Sequence, residues 1–253
     1  AGVINVKDPL YGAKGDGVTD DTAAIQNAVS NGLFLSKDKE KTALIYFPAG
    51  TYLVSDRIVP KIDPAVVGGW SPYLTLQGQN KDTTIIKLKD NAAGYGSKTA
   101  PKAVLFTASS QPEGTNFDWT VKGEGNEAFN NNIFDLTVNT GSGNPGAIGI
   151  DYLASNNGSV RDVKIVSGDT QGYGGLSLIR KAPGPALIKN VTIEGFDYAI
   201  GSEHVTYTST LEHITLRNQK IAGIHNKDHV LAIRDLQSDN TVPVIIQEGA
   251  TVG

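Results

Sequence analysis

The stretch that decides the fold is Leu187-Ile-Lys-Asn-Val-Thr-Ile193, in which apolar residues are separated first by two residues and then by one. The pattern occurs four times in the second half of the chain, with a shorter fifth copy, as Ile133-Leu136-Val138, Val160-Val163-Ile165, Ile188-Val191-Ile193, Leu211-Ile214-Leu216 and Ile233-Leu236. Its central residues are 27, 28, 23 and 22 residues apart, a period typical of solenoids. Each copy is short and β-branched, which predicts one strand per coil whose apolar face is buried by stacking.

A second alternating segment follows each copy and predicts a second strand in every coil. These segments are Ile148-Gly149-Ile150, Leu176-Ser177-Leu178, Ala199-Ile200, Ala222-Gly223-Ile224 and Val244-Ile245-Ile246. Leucine-rich repeats have a similar period, but their dense leucine pattern is absent and these coils favour Ile and Val. We therefore predict an all-β protein with a parallel β-helix fold.

Composition excludes several classes of function. The 253 residues carry a formal net charge of −4, which offers no electrostatic footprint for nucleic acid. No apolar run is long enough to cross a membrane, so no membrane partner is expected. Cysteine is absent, which excludes disulfides and thiolate metal sites, and we expect no cofactor and no metal. The chain does not begin with Met, so we expect that a signal peptide, a tag or the initiator Met was removed.

The N-terminal region is different in kind. Val3-Ile-Asn-Val6 predicts a first strand, and Thr19 is placed as the N-cap of a helix whose first turn holds Asp20 and Asp21. We interpret the acidic cluster of Asp16, Asp20 and Asp21 as turn and helix-cap chemistry rather than a cation site. An amphipathic helix is the expected cap for the open end of a solenoid.

Two N-terminal stretches carry a family resemblance. Tyr11-Gly-Ala-Lys-Gly-Asp-Gly-Val-Thr-Asp-Asp-Thr-Ala-Ala-Ile-Gln26 and Phe47-Pro-Ala-Gly-Thr-Tyr52 resemble the N-terminal signature of the pectate-lyase-like β-helix superfamily. The resemblance implies a right-handed parallel β-helix with an N-terminal capping α-helix. The superfamily includes polygalacturonase-related glycosidases, alginate epimerases, tandem β-helix exo-β-1,3-glucanases and phage tailspikes. Two further stretches, 216–226 and 230–236, are similar to the glucanase branch.

This resemblance implies a secreted, polysaccharide-degrading glycoside hydrolase or its N-terminal β-helix half. We expect residues 1–60 to form the cap and first coil, and residues 61–253 to form further coils of the same domain. Nothing near Gly253 looks like a C-terminal cap, so a second β-helix domain or subunit is one expected cover for that end. The alternatives are a pectate-lyase-type lyase and a non-catalytic, tailspike-like polysaccharide-binding protein.

Candidate site residues come from the outer rows of the second strands. We predict Asp151, Asp169 and Glu203 as catalytic, because glycoside cleavage generally needs two carboxyl groups. We predict that Tyr152, Tyr173, Arg180 and His225 bind a polysaccharide, with the tyrosines as stacking platforms. No catalytic motif of the polygalacturonases, epimerases or pectate lyases is found in the coils, so no catalytic residue is carried over from the family.

One polar residue precedes the central apolar residue of each coil. These residues are Asp135, Asp162, Asn190, His213 and Asp235. A row of carboxylates along a substrate groove is one interpretation. The favoured one is a stack of turn residues whose side chains satisfy backbone groups at each corner.

Overall fold

A computed structural model of the chain describes residues 2–36, 43–59, 74–107, 128–180, 183–204 and 207–249. One helix, α1 (Thr22–Ser36), lies in these ranges. In chain order the strands are β1 (Val3–Asn5), β2 (Asp16–Asp20), β3 (Ala43–Phe47), β4 (Gly50–Val54), β5 (Leu74–Gly78), β6 (Thr84–Leu88), β7 (Lys102–Phe106), β8 (Asn132–Phe134), β9 (Thr137–Asn139), β10 (Ala147–Asp151), β11 (Gly158–Val166), β12 (Gly172–Leu178), β13 (Ala186–Glu194), β14 (Phe196–Glu203), β15 (Thr208–Arg217), β16 (Ala222–Lys227), β17 (Val230–Asp239) and β18 (Ile245–Glu248).

The strands form two parallel sheets that wind into a right-handed β-helix, which confirms the predicted fold class. The second sheet has the order β18-β16-β14-β12-β10-β7, and all other strands belong to the first sheet. In the first sheet Val160 pairs with Ile188, which pairs with Leu211, so the repeat copies stack in the register that the sequence predicts. The predicted domain boundary at residue 60 falls at the edge of residues 60–73, outside the described ranges.

The long strands of the first sheet bend in the middle, and the predicted ladder residues mark the bend. In the early coils two short strands occupy the two faces, and β11 pairs with both β8 and β9. Five residues at the corner have left-handed backbones with φ of 53–56°, namely Asp135, Asp162, Asn190, His213 and Asp235. Asn and Asp tolerate this conformation better than most residues.

The ladder side chains bond mainly to one another, which corrects the expectation that they satisfy the backbone. Asn190 donates to Asp162, and His213 Nδ1 lies 2.5 Å from Asp235 Oδ2. Side chains at the same corner of successive coils lie above one another, so they bond to each other rather than to a backbone amide. The interpretation as stacked corner residues therefore fits the structure, with different partners for the side chains.

The core is a stack of aliphatic layers between the two sheets. Val163, Val191 and Ile214 are at most 1% exposed. Close approach of the sheets leaves no room for a side chain at Gly175, where a Cβ atom would lie 2.3 Å from Ile193 Cγ2. Such contacts explain why small residues recur on the inner side of the second sheet.

The N-terminal cap differs from prediction in where the helix starts. Thr19 lies in β2 and bonds to Asp16, whereas α1 begins at Thr22 and Ile25 N donates to Asp21 O at 2.9 Å. Asp21 is buried, and its carboxylate accepts bonds from the amides of Lys14 and Gly15 at 2.7 and 2.9 Å. The acidic cluster thus serves turn and cap chemistry, with Asp21 rather than Thr19 at the N-cap.

The last described coil leaves apolar side chains in solvent. Val230, Ile233, Val244 and Ile245 are 48, 37, 41 and 43% exposed. They belong to β17, to β18 and to the residue before β18, and the partners of Ile233 and Ile245 in the preceding coil, Leu211 and Ile224, are buried. Within the described ranges no helix has the length and apolar character of a membrane span.

Candidate functional site

Most of the predicted site residues lie on or next to the second sheet. Its register aligns Asp151, Ser177, Gly201, His225 and Ile246 in one row across five strands. Aligning the second strands by sequence alone places Ile179 and Gln247 in this row, which is wrong by two residues and by one residue, respectively. Unequal connections between coils hide such shifts, because each coil repeats only a few apolar positions.

Asp151 and Arg180 form a buried ion pair. Arg180 is 2% exposed, and its Nε donates to Asp151 Oδ1 at 3.0 Å. The guanidinium also donates to the carbonyl groups of Asp151 and Thr107 and lies 4.1 Å from the centre of the Phe106 ring. Burial lowers the pKa of Arg180, and Asp151 opposes this shift. The prediction that Arg180 contacts substrate is therefore wrong, since its donors point into the protein, and Asp151 is occupied as its counter-ion.

Tyr152 is also unavailable to a substrate. The residue is fully buried, and its hydroxyl donates to the Asn131 carbonyl oxygen at 2.7 Å. Burial raises the pKa of its phenol well above the ordinary value. Because successive strand residues alternate between faces, the residue after outward-facing Asp151 points into the core, and the predicted stacking role is wrong.

Asp169 organises a turn between β11 and β12. Its carboxylate accepts bonds from Gly143 N at 2.7 Å, Gln171 N at 3.0 Å and Ser167 Oγ at 3.3 Å. Burial disfavours the charged form, but these hydrogen bonds outweigh it and lower the pKa of Asp169. A carboxylate held in this way is a poor proton donor, so its geometry favours a structural role over the predicted catalytic one.

Glu203 lies on an exposed row with two charged neighbours. Register places it beside Lys227, which is followed by Glu248 on the next strand. Lys227 Nζ lies 2.9 Å from Glu203 Oε1, and this hydrogen bond raises the pKa of the ammonium group. His225 Nε2 lies 3.2 Å from Glu248 Oε1. This row therefore brings Glu203 and His225 into one neighbourhood, together with Glu248, which the sequence did not single out.

A small depression, which we call the aromatic cleft, opens next to this row. It is lined by Tyr173, Ser177, Tyr198, His225, Ile148 and Ile179, among others, and has a volume of about 70 Å³.

The rings of the aromatic cleft form one ordered group. Tyr198 stacks on His225 with ring centres 5.2 Å apart and planes 23° apart. Tyr173 meets Tyr198 edge to face at 6.1 Å. Tyr173 and His225 are thus brought together as the sequence predicts. The sequence does not single out Tyr198, whose partner on the preceding strand is Gly174 rather than Tyr173.

Within the described ranges no cluster of three or more His, Asp and Glu side chains is placed to hold a metal ion. The site consists instead of aromatic rings, ion-paired carboxylates and a hydroxyl group. Such a surface is suited to hydrogen bonding and stacking with a polar, ring-containing ligand.

Comparison with known proteins finds short segments of high identity. A 76-residue segment is 45% identical to the "Non-secreted LysM effector LysM19" of Penicillium expansum and covers 28% of this chain and 6% of that protein. A 68-residue segment is 52% identical to the "Probable glucan endo-1,3-beta-glucosidase" of Arthroderma benhamiae and covers 25% of this chain and 8% of that protein. The matched segments thus span less than a tenth of either relative.

The fold and the family are shared over nearly the whole chain. Gene product 12 of bacteriophage phi29, in its pre-mature form, has a TM-score of 0.55 at 16% identity and is matched over 96% of this chain and 33% of its own. At that identity the likeness shows the fold alone. A sequence model of one family, however, matches residues 3–245. The chain belongs to that family, which is described as "Rhamnogalacturonase A/epimerase, pectate lyase-like".

Proposed function

We propose that this chain is the β-helix of a polysaccharide-degrading glycoside hydrolase, either as its catalytic unit or as its N-terminal half. The observation that carries the proposal is the 52% identity over 68 residues to a protein named as a probable glucan endo-1,3-beta-glucosidase, within a family match over residues 3–245. The first candidate substrate of this chain is a neutral β-1,3-glucan.

The row beside the aromatic cleft supports a hydrolytic mechanism. Glu203 and Glu248 flank Lys227, so two strand spacings, about 9.5 Å, separate their backbones. Inverting glycosidases use two carboxyl groups, one as acid and the other as base, and we assign these roles to this pair. The Lys227 ammonium lies 2.9 Å from Glu203 Oε1, and we assign Glu203 as the base that activates water.

Reducing-sugar release tests this proposal. The 253-residue chain and a longer natural version are incubated with β-1,3-glucan, polygalacturonate and alginate, while absorbance of unsaturated uronides reports lyase activity. We expect β-1,3-glucan hydrolysis without that absorbance. Glu203→Gln should lower kcat at least about a hundredfold if it removes a general base. Glu212→Gln is the matched control, because Glu212 pairs with Lys189 on the first sheet.

A non-catalytic glycan-binding protein is the second candidate. It is favoured by the ion pairs that occupy the carboxylates of the second sheet, Asp151 with Arg180 and Glu203 with Lys227. Activity that persists in Glu203→Gln would contradict the mechanism, and absence of activity in both chain lengths would favour this second candidate.

Extracellular action is part of the proposal, since polymeric glycans of this kind lie outside the cytoplasm. The relative from Penicillium expansum is named as non-secreted and does not support it. Fractionation of the source culture, followed by detection of the protein in the medium or in the cells, tests this point.

A second β-helix domain or subunit on the exposed apolar residues of the last coil is likewise proposed, and the oligomeric state of the longer protein tests it.

A further inference from the structure

We propose that the aromatic cleft is a subsite for one ring of a neutral hexose polymer and excludes uronic acid rings. The inference rests on the proposed function, because it assumes that a glycan lies on the outer face of the second sheet. It adds the position of one sugar ring and a structural reason for selecting a neutral polymer over an acidic one.

The shape of the cleft comes from two glycines on neighbouring strands. In one row Gly174 lies between Ile148 and Tyr198, and in the next Gly201 lies between Ser177 and His225. Each glycine removes one side chain from a face that would otherwise be filled. The gap between the strands of Ser177 and His225 is then two strand spacings, about 9.5 Å.

Neither glycine is needed for the backbone or for close packing. Neither has a left-handed backbone, and a Cβ atom on Gly201 would meet only Ile179 Cγ2 at 3.6 Å, an ordinary contact. A Cβ atom on Gly174 would find its nearest neighbour at 3.8 Å. The open space above these positions is therefore a feature of the surface, because neither the backbone conformation nor close packing requires glycine there.

The lining has the chemistry of a sugar subsite. Tyr173, Tyr198 and His225 supply an aromatic wall, and Ile148 and Ile179 supply apolar contacts for the C–H faces of a ring. Ser177 adds a hydroxyl group. The residue is 6% exposed, and its Oγ atom has no hydrogen-bond partner among the described residues. Buried hydroxyl groups are nearly always bonded, so this one is in need of a ligand group.

The charges around the cleft oppose an acidic sugar. Three basic groups on this side of the molecule are each paired with a carboxylate: His225 with Glu248, Lys227 with Glu203, and Arg180 with Asp151. A uronate carboxylate in the cleft would lie beside Glu203 and Glu248. None of the described lining residues would offer it an unpaired cation. A neutral ring meets no such repulsion, which is the basis for the stated selectivity.

Isothermal titration of the 253-residue chain tests the inference, with laminarihexaose and cellohexaose as neutral probes and hexagalacturonate as the acidic probe. We expect a neutral probe to bind at least about tenfold more tightly than hexagalacturonate. Gly201→Val fills the cleft with a residue suited to strands and should weaken binding at least about tenfold. Thr192→Val introduces the same residue on the first sheet and should leave affinity unchanged.

Ser177→Ala provides a second variant that keeps the fold. It should weaken binding several-fold while circular dichroism shows an unchanged or higher melting temperature. Wild-type affinity in Gly201→Val, tighter binding of hexagalacturonate, or no binding of any probe would overturn the inference. If the expected binding pattern is found while neither chain length cleaves glycan, only the proposed hydrolase function fails.

Discussion

Asp151 and Ser177 are neighbours in one row of the second sheet, yet their polar groups are in opposite situations. The carboxylate of Asp151 is held by Arg180, whereas the hydroxyl of Ser177 has no partner within the described ranges. The sequence places Asp151 in the outer row but assigns Ile179 there in place of Ser177, and it carries no sign of this difference. A polar residue at such a position becomes a candidate for ligand binding only when its bonds are known.

At Ser177 we predict that loss of the hydroxyl group does not destabilise the protein. An unpaired buried hydroxyl contributes a desolvation cost and no hydrogen bond, so Ser177→Ala should raise the free energy of unfolding by up to about 1 kcal/mol. Urea denaturation measures the change. A loss of more than about 1 kcal/mol would show that the hydroxyl is bonded in solution.

The ion pair of Arg180 leads to the opposite prediction. Arg180→Met leaves the Asp151 carboxylate without its counter-ion, and breaking a buried pair costs about 3–5 kcal/mol. Because the Asp151 side chain is 18% exposed, we expect the lower end of that range. The double variant Asp151→Leu with Arg180→Met should recover most of the loss in the same urea experiment. A single variant as stable as the wild type would contradict the pairing.

Asp16 predicts a pH dependence of stability. Hydrogen bonds from the Thr19 and Val18 amides and from the Thr19 hydroxyl lower the pKa of this carboxyl from 3.8 to about 2. Since the pKa is lower in the folded state, the stabilisation is present above about pH 4 and is lost as the pH falls towards 2. The difference in unfolding free energy between wild type and Asp16→Ala should therefore shrink between these pH values. A constant difference would contradict the shift.

At the scale of elements, the bent strands of the first sheet are the part that sequence predicts best. The repeating apolar pattern gives both the pairing and the register, and the polar residue before Val163, Val191 and Ile214 marks the corner. The second sheet is predicted less well. Its strands have weaker apolar patterns and unequal connections, and an error of one residue reverses the face of every side chain. Gln247 is assigned to the wrong face for this reason, because Ile246 is the residue that pairs with His225.

Two adjacent glycines of β12 allow a matched test of element packing. A Cβ atom on Gly175 would lie 2.3 Å from Ile193 Cγ2 and 2.7 Å from the Ala199 carbonyl oxygen, whereas one on Gly174 meets nothing closer than 3.8 Å. Gly175→Ala should lower the free energy of unfolding by about 1–3 kcal/mol through overpacking. Gly174→Ala should change it by less than about 0.5 kcal/mol. Equal effects of the two variants in thermal or urea melts would contradict the close approach of the sheets.

At the scale of the molecule, fold and family follow from the sequence, but the site follows only in part. The stacked repeats and the N-terminal signature lead to the right-handed β-helix that the structure has. Tyr173 and His225 line one cleft and Glu203 lies on the row beside it, while their roles in binding and catalysis stay predictions. Ser177, Gly201 and Glu248 escaped notice, since their significance depends on contacts between coils more than twenty residues apart in sequence.

Methyl NMR on the 253-residue chain tests the central claim most directly, that glycan lies on the outer face of the second sheet. Isoleucine methyl groups are distributed as reporters, with Ile148 and Ile179 in the aromatic cleft, Ile193 in the core and Ile233 exposed on the first sheet. On titration with laminarihexaose, we predict that the signals of Ile148 and Ile179 shift while those of Ile193 and Ile233 do not. Shifts confined to Ile233, or to other methyl groups of the first sheet, would contradict the account.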